Sequence, residues 1–457
     1  MHKKQIRVNP LYPCTIKIIR PHQYHSRTTK IRVPRQNPIA LPLLYHQRTM
    51  KNTNLRGWSS TAVHGGHQPD PNHSHLTPIY ATSTFTFDTA EEGMERFASL
   101  DKELIYSRWG NPTFKECEQK IAALETFGLT DHNGQPMQVK ALLHASGQAA
   151  MSTLFLSTLQ AGDAVLSHPS LYGGTHEMLT RLLAQMGVTP IIANLNNLNH
   201  TEELLQNNAA IKLIHLETPA NPTIQCVDIA ALAQLANQYG KLLSVDNTFA
   251  TPYLQQPFKF GAHFVFHSTT KFLNGHGTAI GGVLLGRDIQ FMKTKAWKWH
   301  ALLGGNANPF DAYLLTQGLK TLELRMERHC ANAMAVAQYL DTHRKVALVN
   351  YTGLPQHPHH ALSARQMRHP GPMLSFELKG GIEAGKVFIN NLQMCTRAVS
   401  LGTVDTLLSH PATMSHAGVP VADRLQFGIT DGLIRMSVGI ENIEDILADL
   451  EQALDKC

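Results

Sequence analysis

Short apolar runs alternate with amphipathic stretches over residues 110–290. The runs predict strands, and the stretches with apolar residues at helical spacing predict helices. The predicted strands are Ala141–His144, Ala164–Ser167, Lys212–Leu216, Leu242–Val245, Phe264–His267 and Gly282–Leu285. The predicted helices between them are Gln148–Leu159, Thr175–Gln185 and Ile229–Tyr239. This alternation predicts an α/β fold with a mainly parallel central sheet and helices on both faces.

Beyond about residue 308 the pattern changes to longer helices and isolated strands. The helices are predicted at Phe310–Leu319, Leu322–Leu340 and Ile443–Leu454, and the strands at Met373–Leu378 and Leu433–Val438. We therefore predict a large domain over residues 110–305 and a smaller C-terminal α+β domain over 306–457. Residues 50–109 contain little periodic structure, and we interpret them as an N-terminal arm that contacts a neighbouring subunit.

The net charge of +6 comes from the N-terminus. Residues 1–50 contain ten Lys and Arg and no acidic residue, which leaves 30 basic against 34 acidic residues in the rest. The charge therefore does not indicate a nucleic-acid-binding surface on the folded body. Residues 1–49 form a basic extension with three readings: a transit peptide interrupted by prolines, a disordered arm, or sequence upstream of a native start at Met50.

Cysteines and histidines give no sign of a metal site. The six cysteines are scattered without a C-x-x-C pair, so neither a disulfide framework nor zinc is indicated, and a cytoplasmic location is expected. His357, His359 and His360 surround Pro358 and are interpreted as a solvated turn. No run of about 18 apolar residues suggests a transmembrane helix.

The segment Ser268-Thr269-Thr270-Lys271 carries the clearest chemical signal. It follows an apolar strand and precedes Asn274-Gly275-His276-Gly277. A lysine at a strand end among hydroxyls suits a pyridoxal-phosphate (PLP) enzyme, where the lysine binds the cofactor and the hydroxyls hold its phosphate. A lysine that merely ends a strand is the alternative. A Ser-x-x-Lys hydrolase nucleophile has the same spacing, but its companion motifs are missing from the sequence.

Three further segments place polar groups after strands. Asp246 follows a buried strand, where a carboxylate can keep a pyridine nitrogen protonated, although it also suits a turn. His144 to Gln148 reads as strand, turn and helix start, an arrangement that can bind phosphate. Asn221 lies between two prolines that fix the backbone. Ligands of parallel sheets bind beyond the carboxyl ends of strands, where all these segments are expected to meet.

Taken together, these motifs resemble the Cys/Met-metabolism PLP enzymes of the trans-sulfuration group, over roughly residues 60–455. The matching segments are Tyr106-Ser107-Arg108, Gly110–Thr113, Ser146-Gly147, Leu171–Thr175, Glu217–Thr223, Val245–Phe249, Ser268–Gly277, Arg325–His329 and Asp431–Arg435. The resemblance implies the type I aminotransferase-like PLP-dependent transferase fold, with residues 110–305 as the PLP-binding domain. It also implies a small amino-acid substrate and a homotetramer built from two active dimers.

The resemblance implies a role for each matching residue. Lys271 is implied as the Schiff-base lysine and proton shuttle, Asp246 as the partner of the pyridine nitrogen, and Asn221 as the contact to the ring oxygen. The phosphate would be held by Ser146, Gly147, Ser268 and Thr270, with Tyr106 and Arg108 from a neighbouring subunit. Tyr172 would stack on the ring and transfer protons, and Arg435 would bind the substrate carboxylate with help from Ser400.

The substrate is less clearly indicated than the family. Val399 stands where cystathionine-using members tend to carry Glu, so an apolar pocket suited to methionine is expected. The segments His410–His416 and Gly428–Asp431 also resemble methionine γ-lyases. Gly174 and Ala301 depart from that subgroup, which often has Cys and a Lys-Asp pair there. Methionine γ-lyase activity is the prediction, and O-acylhomoserine sulfhydrylase, cystathionine γ-synthase or γ-lyase and a silent homologue stay open.

Overall fold

A computed structural model describes residues 55–67, 70, 72–99, 104–415, 417–418, 421–426 and 428–457. The basic extension over residues 1–49, the alternative start at Met50, and His416 lie outside the described residues. Within the described ranges, no helix is both long and apolar enough to cross a membrane.

Two sheets organise the chain. The strands are β1 Lys140–His144, β2 Ala164–Ser167, β3 Thr189–Ile192, β4 Ile211–Glu217, β5 Leu242–Asp246, β6 Phe264–His267, β7 Gly282–Gly286, β8 Val346–Asn350, β9 Met373–Leu378, β10 Thr396–Arg397, β11 Leu407–Ser409 and β12 Leu433–Ser437. The first sheet has the order β1-β7-β6-β5-β4-β2-β3 and the second the order β10-β11-β12-β9-β8. In the first sheet β7 runs antiparallel to both of its neighbours, and the other pairs are parallel.

Helices cover these sheets. They are α1 Trp58–His64, α2 Ala90–Ala98, α3 Pro112–Glu125, α4 Gly147–Thr158, α5 Gly173–Glu177, α6 Leu198–Asn207, α7 Ile229–Gln238, α8 Thr251–Leu254, α9 Ile289–Phe291, α10 Trp297–Leu303, α11 Pro309–Leu319, α12 Leu322–Asp341, α13 His360–Gln366, α14 Gly381–Asn391, α15 Val421–Gln426 and α16 Ile443–Asp455. The predicted α/β fold with a mainly parallel sheet and a smaller C-terminal sheet is confirmed.

Alternation of side chains along the first sheet explains its two helical layers. Leu143 and Leu285 pack into the core that contains α3 and α11, whereas the adjacent Leu142 and Leu284 pack into the core that contains α4. Successive side chains of a strand point to opposite faces, so a strand covered on both sides reads as a continuous apolar run. That run is the signal from which these strands were predicted.

In the C-terminal part, the predicted strands Met373–Leu378 and Leu433–Val438 pair antiparallel at the centre of the second sheet. Phe376 of β9 packs on Phe388 of α14, with ring centroids 5.6 Å apart. The predicted domain boundaries at residues 110 and 306 stay predictions.

Among its described residues, the predicted N-terminal arm contains the short helices α1 and α2, and Trp58 of α1 is buried against Tyr253 with ring centroids 4.9 Å apart. The predicted contact of this arm with a neighbouring subunit stays a prediction. The histidine turn is not simply solvated, because His357 is buried and Nδ1 of His359 accepts a 2.8 Å hydrogen bond from the backbone N–H of Cys226. Among the described residues, no group of three or more His, Cys, Asp or Glu side chains is placed to hold a metal ion.

Candidate active site

The loops that follow β4, β5 and β6 meet at one edge of the first sheet. Glu217 ends β4 and lies in register with Asp246, which ends β5 and lies in register with Phe266 of β6. Lys271 follows β6 after a short turn, in which its N–H donates to the carbonyl of Ser268 at 3.2 Å. The carboxyl ends of parallel strands therefore bring these polar residues together, as the sequence predicted.

Lys271 reaches from this edge to the C-terminal part of the chain. Its Nζ donates a 3.1 Å hydrogen bond to Oγ of Ser400. Burial lowers the pKa of Lys271 to about 8, with a further contribution from the positive charge of Arg435. The backbone of Gly402 comes so close that a Cβ there would lie 2.6 Å from the nitrogen of Phe272, and its φ of +81° favours glycine. Gly402 thus allows the Ser400 segment to approach the lysine.

The resemblance implies that Lys271 is the attachment point of pyridoxal phosphate, and its pKa then predicts how the protein without cofactor captures this aldehyde. An amine attacks an aldehyde only when unprotonated, and an ordinary lysine has a pKa of about 10.4. We expect the capture rate to rise with pH through a midpoint near 8, the pKa of Lys271, and to level off above it. Stopped-flow absorbance over a pH series measures this midpoint. Arg435→Met should move it upward because a neighbouring positive charge is removed, and a wild-type midpoint near that of free lysine would contradict the prediction.

Asp246 and Glu217 form a pair of buried carboxylates. Both hydrogen bonds from Thr248, one from its backbone N–H and one from its hydroxyl, fall on Oδ1 of Asp246. Burial raises the pKa of Asp246 and that of Glu217, and the proximity of Asp246 raises that of Glu217 further. The hydrogen bonds from Thr248 and the coulombic contribution of His267 only partly offset the effect of burial on Asp246, so a further positive partner would stabilise its charged form. A protonated pyridine nitrogen would be such a partner, so Asp246 fits the cofactor that the sequence implied.

The other carboxylate, Glu217, orders two neighbouring segments. Its Oε2 accepts a 2.7 Å hydrogen bond from the backbone N–H of Tyr172, and its Oε1 accepts one of 2.9 Å from the N–H of Asn221. Sequence reasoning gave this residue no role beyond membership in a motif. Its position at a strand end, like that of Asp246, was the signal that could have found it.

Arg435 of β12 points to the same place from the second sheet. Its guanidinium donates to Oδ1 of Asn221 at 3.1 Å and to the carbonyls of Val399 and Ser400 at 2.8 and 3.0 Å. The five N–H donors of arginine leave further donors for a carboxylate. Since Oδ1 of Asn221 faces Arg435, its amide nitrogen is available to donate to an acceptor such as the phenolic oxygen of the cofactor.

The start of α4 packs tightly against the Ser268 turn. The side chain of Ser146 caps this helix by accepting a 3.1 Å hydrogen bond from the N–H of Ala149. A Cβ on Gly147 would lie 3.2 Å from both Cβ and Oγ of Ser268, which is tighter than ordinary contact. The first N–H groups of a helix have no partner within it, and here they adjoin a serine hydroxyl, so this cradle fits a phosphate.

Thr270 is the last of the four residues predicted to bind the phosphate, but its hydroxyl already bonds the backbone of Gly281. Its hydroxyl donates to the carbonyl of Gly281 at 3.2 Å and accepts from the N–H of Gly281 at 3.0 Å. Since its single hydrogen is given to that carbonyl, Thr270 must rotate before it can donate to a phosphate oxygen.

Tyr172 lies at the start of α5 with 52% of its surface exposed. A Cβ on Gly174 would lie 2.6 Å from Cε1 of Tyr172 and 2.5 Å from Nε2 of Gln148. The glycine at position 174 therefore leaves space that the tyrosine ring and the glutamine amide now occupy. Gln148 was not predicted as a site residue.

Tyr106 and Arg108 are placed outside this cluster. Within the described part of the chain, Arg108 donates to the carbonyl of Ala301 at 2.6 Å and lies 5.4 Å from the centre of the Tyr106 ring. Tyr106 is 41% exposed, and Ala301 is buried. Their predicted contact with the phosphate of a neighbouring subunit stays a prediction.

The chain is similar to known proteins over most of its length. The chain matches the model of the Cys/Met metabolism PLP-dependent enzymes over residues 59–455. It is 44% identical to the L-methionine gamma-lyase of Fusobacterium nucleatum subsp. polymorphum, over 88% of this chain and 99% of that protein. It is 38% identical to the O-succinylhomoserine sulfhydrylase of Pseudomonas aeruginosa, over 87% and 95% of the two chains. The crystal structure of cystathionine gamma-lyase from Lactobacillus plantarum complexed with L-serine superposes with a TM-score of 0.79 at 35% identity, over 88% and 99% of the chains.

Proposed function

The chain belongs to the Cys/Met metabolism PLP-dependent enzyme family, and from that membership we propose that it is a methionine γ-lyase. The reaction converts L-methionine and water to methanethiol, 2-oxobutanoate and ammonia. The observation that carries this proposal is Val399, whose backbone carbonyl binds Arg435 while 62% of its surface stays exposed beside Ser400. An apolar side chain there suits a thioether, whereas it offers no partner to the distal ammonium of cystathionine.

We assign the cofactor contacts as follows. Bound pyridoxal phosphate supplies an electron sink for the substrate α-carbon. Asp246 would keep the pyridine nitrogen protonated, because its buried carboxylate would gain a positive partner. The amide of Asn221 would donate to the ring oxygen. Ser146, Gly147, Ser268 and Thr270 would hold the phosphate at the start of α4 and the Ser268 turn.

We assign the substrate contacts to residues of the same cluster. Arg435 binds the α-carboxylate with its remaining donors, helped by Ser400, and so fixes the α-carbon near Lys271. The lowered pKa of Lys271 lets its amine accept a proton from the α-carbon and deliver it to the next carbon. Tyr172 would lie against the cofactor ring and would pass a proton to the departing thiolate. Tyr106 and Arg108 act on the phosphate of a neighbouring subunit in a homotetramer of two active dimers.

A sulfhydrylase is the second candidate, because one observation favours it. Gly174 replaces the cysteine that methionine γ-lyases often carry beside the catalytic tyrosine, and the space is occupied by Gln148 and Tyr172. The identity to an O-succinylhomoserine sulfhydrylase is 38%, against 44% for a methionine γ-lyase.

The deciding experiment compares three substrates with one enzyme preparation. Release of 2-oxobutanoate is measured from L-methionine and from L-cystathionine, and homocysteine formation from O-acetylhomoserine plus sulfide. Fast release from methionine with little from cystathionine supports the proposal. Inactivity on methionine together with homocysteine formation would replace it by the sulfhydrylase.

Val399→Glu should shift the preference toward cystathionine. The new carboxylate can pair with the distal ammonium, and a partly exposed ion pair contributes about 1 kcal/mol, or about fivefold in kcat/KM. The ratio of kcat/KM for cystathionine to that for methionine is the measurement, with Val399→Gln as the uncharged control of similar size. An equal shift in both variants would attribute the effect to size rather than charge.

A further inference from the structure

Gln255 directly follows α8 and is a buried glutamine whose side-chain amide has hydrogen-bond partners on both its nitrogen and its oxygen. Only 1% of its surface is exposed. Its Nε2 donates to the carbonyl of Thr218 at 3.0 Å and to Oδ1 of Asn247 at 2.9 Å, and its Oε1 accepts from Nε2 of Gln366 at 2.9 Å. The backbone carbonyl of Gln255 accepts a further hydrogen bond from Nδ2 of Asn247 at 2.8 Å. Every polar atom of the side chain thus has a partner in a region without exposure to water.

The partners of Gln255 start two of the loops that carry the site. Thr218 directly follows Glu217 and begins the loop that leads to Asn221, and Asn247 directly follows Asp246. One amide group therefore holds the first residue of each loop at a fixed distance from the other. Because side chains alternate along a strand, Asn247 and Asp246 face opposite sides, so Gln255 acts from behind the carboxylate.

The third loop is reached through Asn247. Nδ2 of Asn247 also donates to Oε1 of Glu125 at 3.3 Å, and the same oxygen bonds Nε2 of His267. Both Glu125 and His267 are completely buried, and His267 immediately precedes the Ser268 turn that leads to Lys271. The network thus extends from Gln255 to the base of all three strand-end loops.

A fourth connection joins Gln255 to α13. Gln366 of α13 accepts from the N–H of Ile229 at 3.0 Å while it donates to Gln255. The backbone is also strained where α8 starts, since Thr251 has a φ of +61°, a region that β-branched residues rarely adopt. Such strain persists only where surrounding contacts hold it, and the N–H of Gln255 donates to the carbonyl of this residue at 3.1 Å.

We propose that Gln255 is a positioning residue for the cofactor, which sets the mutual placement of Asn221, Asp246 and Lys271 through their loops. The proposal rests on the site residues assigned under the proposed function. Gln255 is not among the residues assigned to contact cofactor or substrate, so it acts through the residues that are. Misplacing reacting groups by about 1 Å can cost about 100-fold in rate, so a shared anchor of three loops has a large effect.

The test replaces Gln255 by methionine, which keeps the side-chain volume and removes every hydrogen bond of the amide. The neighbouring Gln256 provides a matched control, because its Nε2 donates to three carbonyls at the end of α3, those of Leu124, Glu125 and Phe127. Gln256→Met therefore loses a comparable set of bonds that do not involve Thr218 or Asn247. Holoenzyme of both variants is compared for Tm, for the dissociation constant of pyridoxal phosphate and for the visible circular dichroism of the bound cofactor.

We expect Gln255→Met to raise the dissociation constant of pyridoxal phosphate by about tenfold or more, as supporting partners of a bound group commonly do, and to change the circular dichroism. Gln256→Met should lower Tm without either effect. An unchanged cofactor affinity in Gln255→Met, or an equal loss in both variants at equal Tm, would overturn the proposal. If Gln255→Met does not fold, Gln255→Glu decides, since it keeps the shape of the side chain but loses both donations by Nε2, to Thr218 and to Asn247. An unchanged affinity in that variant would overturn the proposal as well.

Lys271→Ala, measured in the same assay, distinguishes failure of the site assignment from failure of the proposal for Gln255. That variant leaves the Gln255 network intact but removes the amine that binds the cofactor. A Lys271→Ala protein that still binds pyridoxal phosphate covalently refutes the assigned site, whatever Gln255→Met shows.

Discussion

Lys271→Ala is expected to lose covalent cofactor attachment and almost all turnover while the protein stays folded. In the proposed assignment, the amine is both the attachment point of the cofactor and the base that moves protons between substrate carbons. Positioned proton transfer alone contributes about 10²–10⁴-fold, so a loss of at least that size in 2-oxobutanoate release is expected. Borohydride reduction followed by peptide mass spectrometry should find the cofactor on Lys271 in the wild type and on no lysine in the variant.

A second buried lysine makes this test specific. Lys120 of α3 is fully buried, its pKa is also lowered to about 8, and its Nζ donates to the carbonyls of Val63 and Gly65 at 3.0 and 2.6 Å. Lys120→Met should lower Tm, because two carbonyls lose their donor, but it should keep the covalent cofactor. Cofactor found on Lys120, or retained covalently in Lys271→Ala, would contradict the assignment of Lys271. Cofactor on Lys271 alone would show that a lowered lysine pKa by itself does not select the site, because Lys120 has one too.

The contrast between these two lysines shows what the sequence could reveal. Lys271 was predicted because it follows an apolar strand and is surrounded by hydroxyls and glycines, which is local information. Asp246 was predicted for the same reason. Lys120 lies inside a helix, and its burial depends on the carbonyls of a segment more than fifty residues away, so local sequence gives no sign of it.

Residues that act through distant contacts escaped prediction for the same reason. Gln255 lies outside the predicted helices and strands, and its partners Thr218 and Gln366 are 37 and 111 residues away in the chain. The edge strand β3 was also missed, because its partly exposed residues lack the apolar run of the central strands. The buried strands of the first sheet, including β1 at its other edge, and the residues at their ends are therefore predictable from the sequence, whereas an exposed strand such as β3 and the supporting networks need the fold.

Arg435→Met should remove the recognition of the substrate carboxylate. The guanidinium is buried, and the carbonyls of Val399 and Ser400 together with Asn221 fix its orientation, so a bound carboxylate would meet donors that need little reordering. Hydrogen bonds to charged groups contribute about 1.5–3 kcal/mol each, which predicts a fall in kcat/KM of about 10–100-fold for each bond lost. Steady-state kinetics on L-methionine measure this fall, and most of it should appear in KM.

A pair of substrates separates carboxylate binding from general damage to the site. L-methionine amide lacks the carboxylate charge, so the wild type should strongly prefer methionine, and Arg435→Met should lose that preference because the partner of the charge is gone. Arg424, a second buried arginine whose Nη2 donates to Oδ1 of Asp431 at 2.8 Å, serves as the control. Arg424→Met should lower stability and leave the preference for methionine over its amide unchanged. If Arg435→Met retained that preference, the carboxylate would have to be bound by another group, and the apolar pocket inferred from Val399 would have to be placed relative to that group instead.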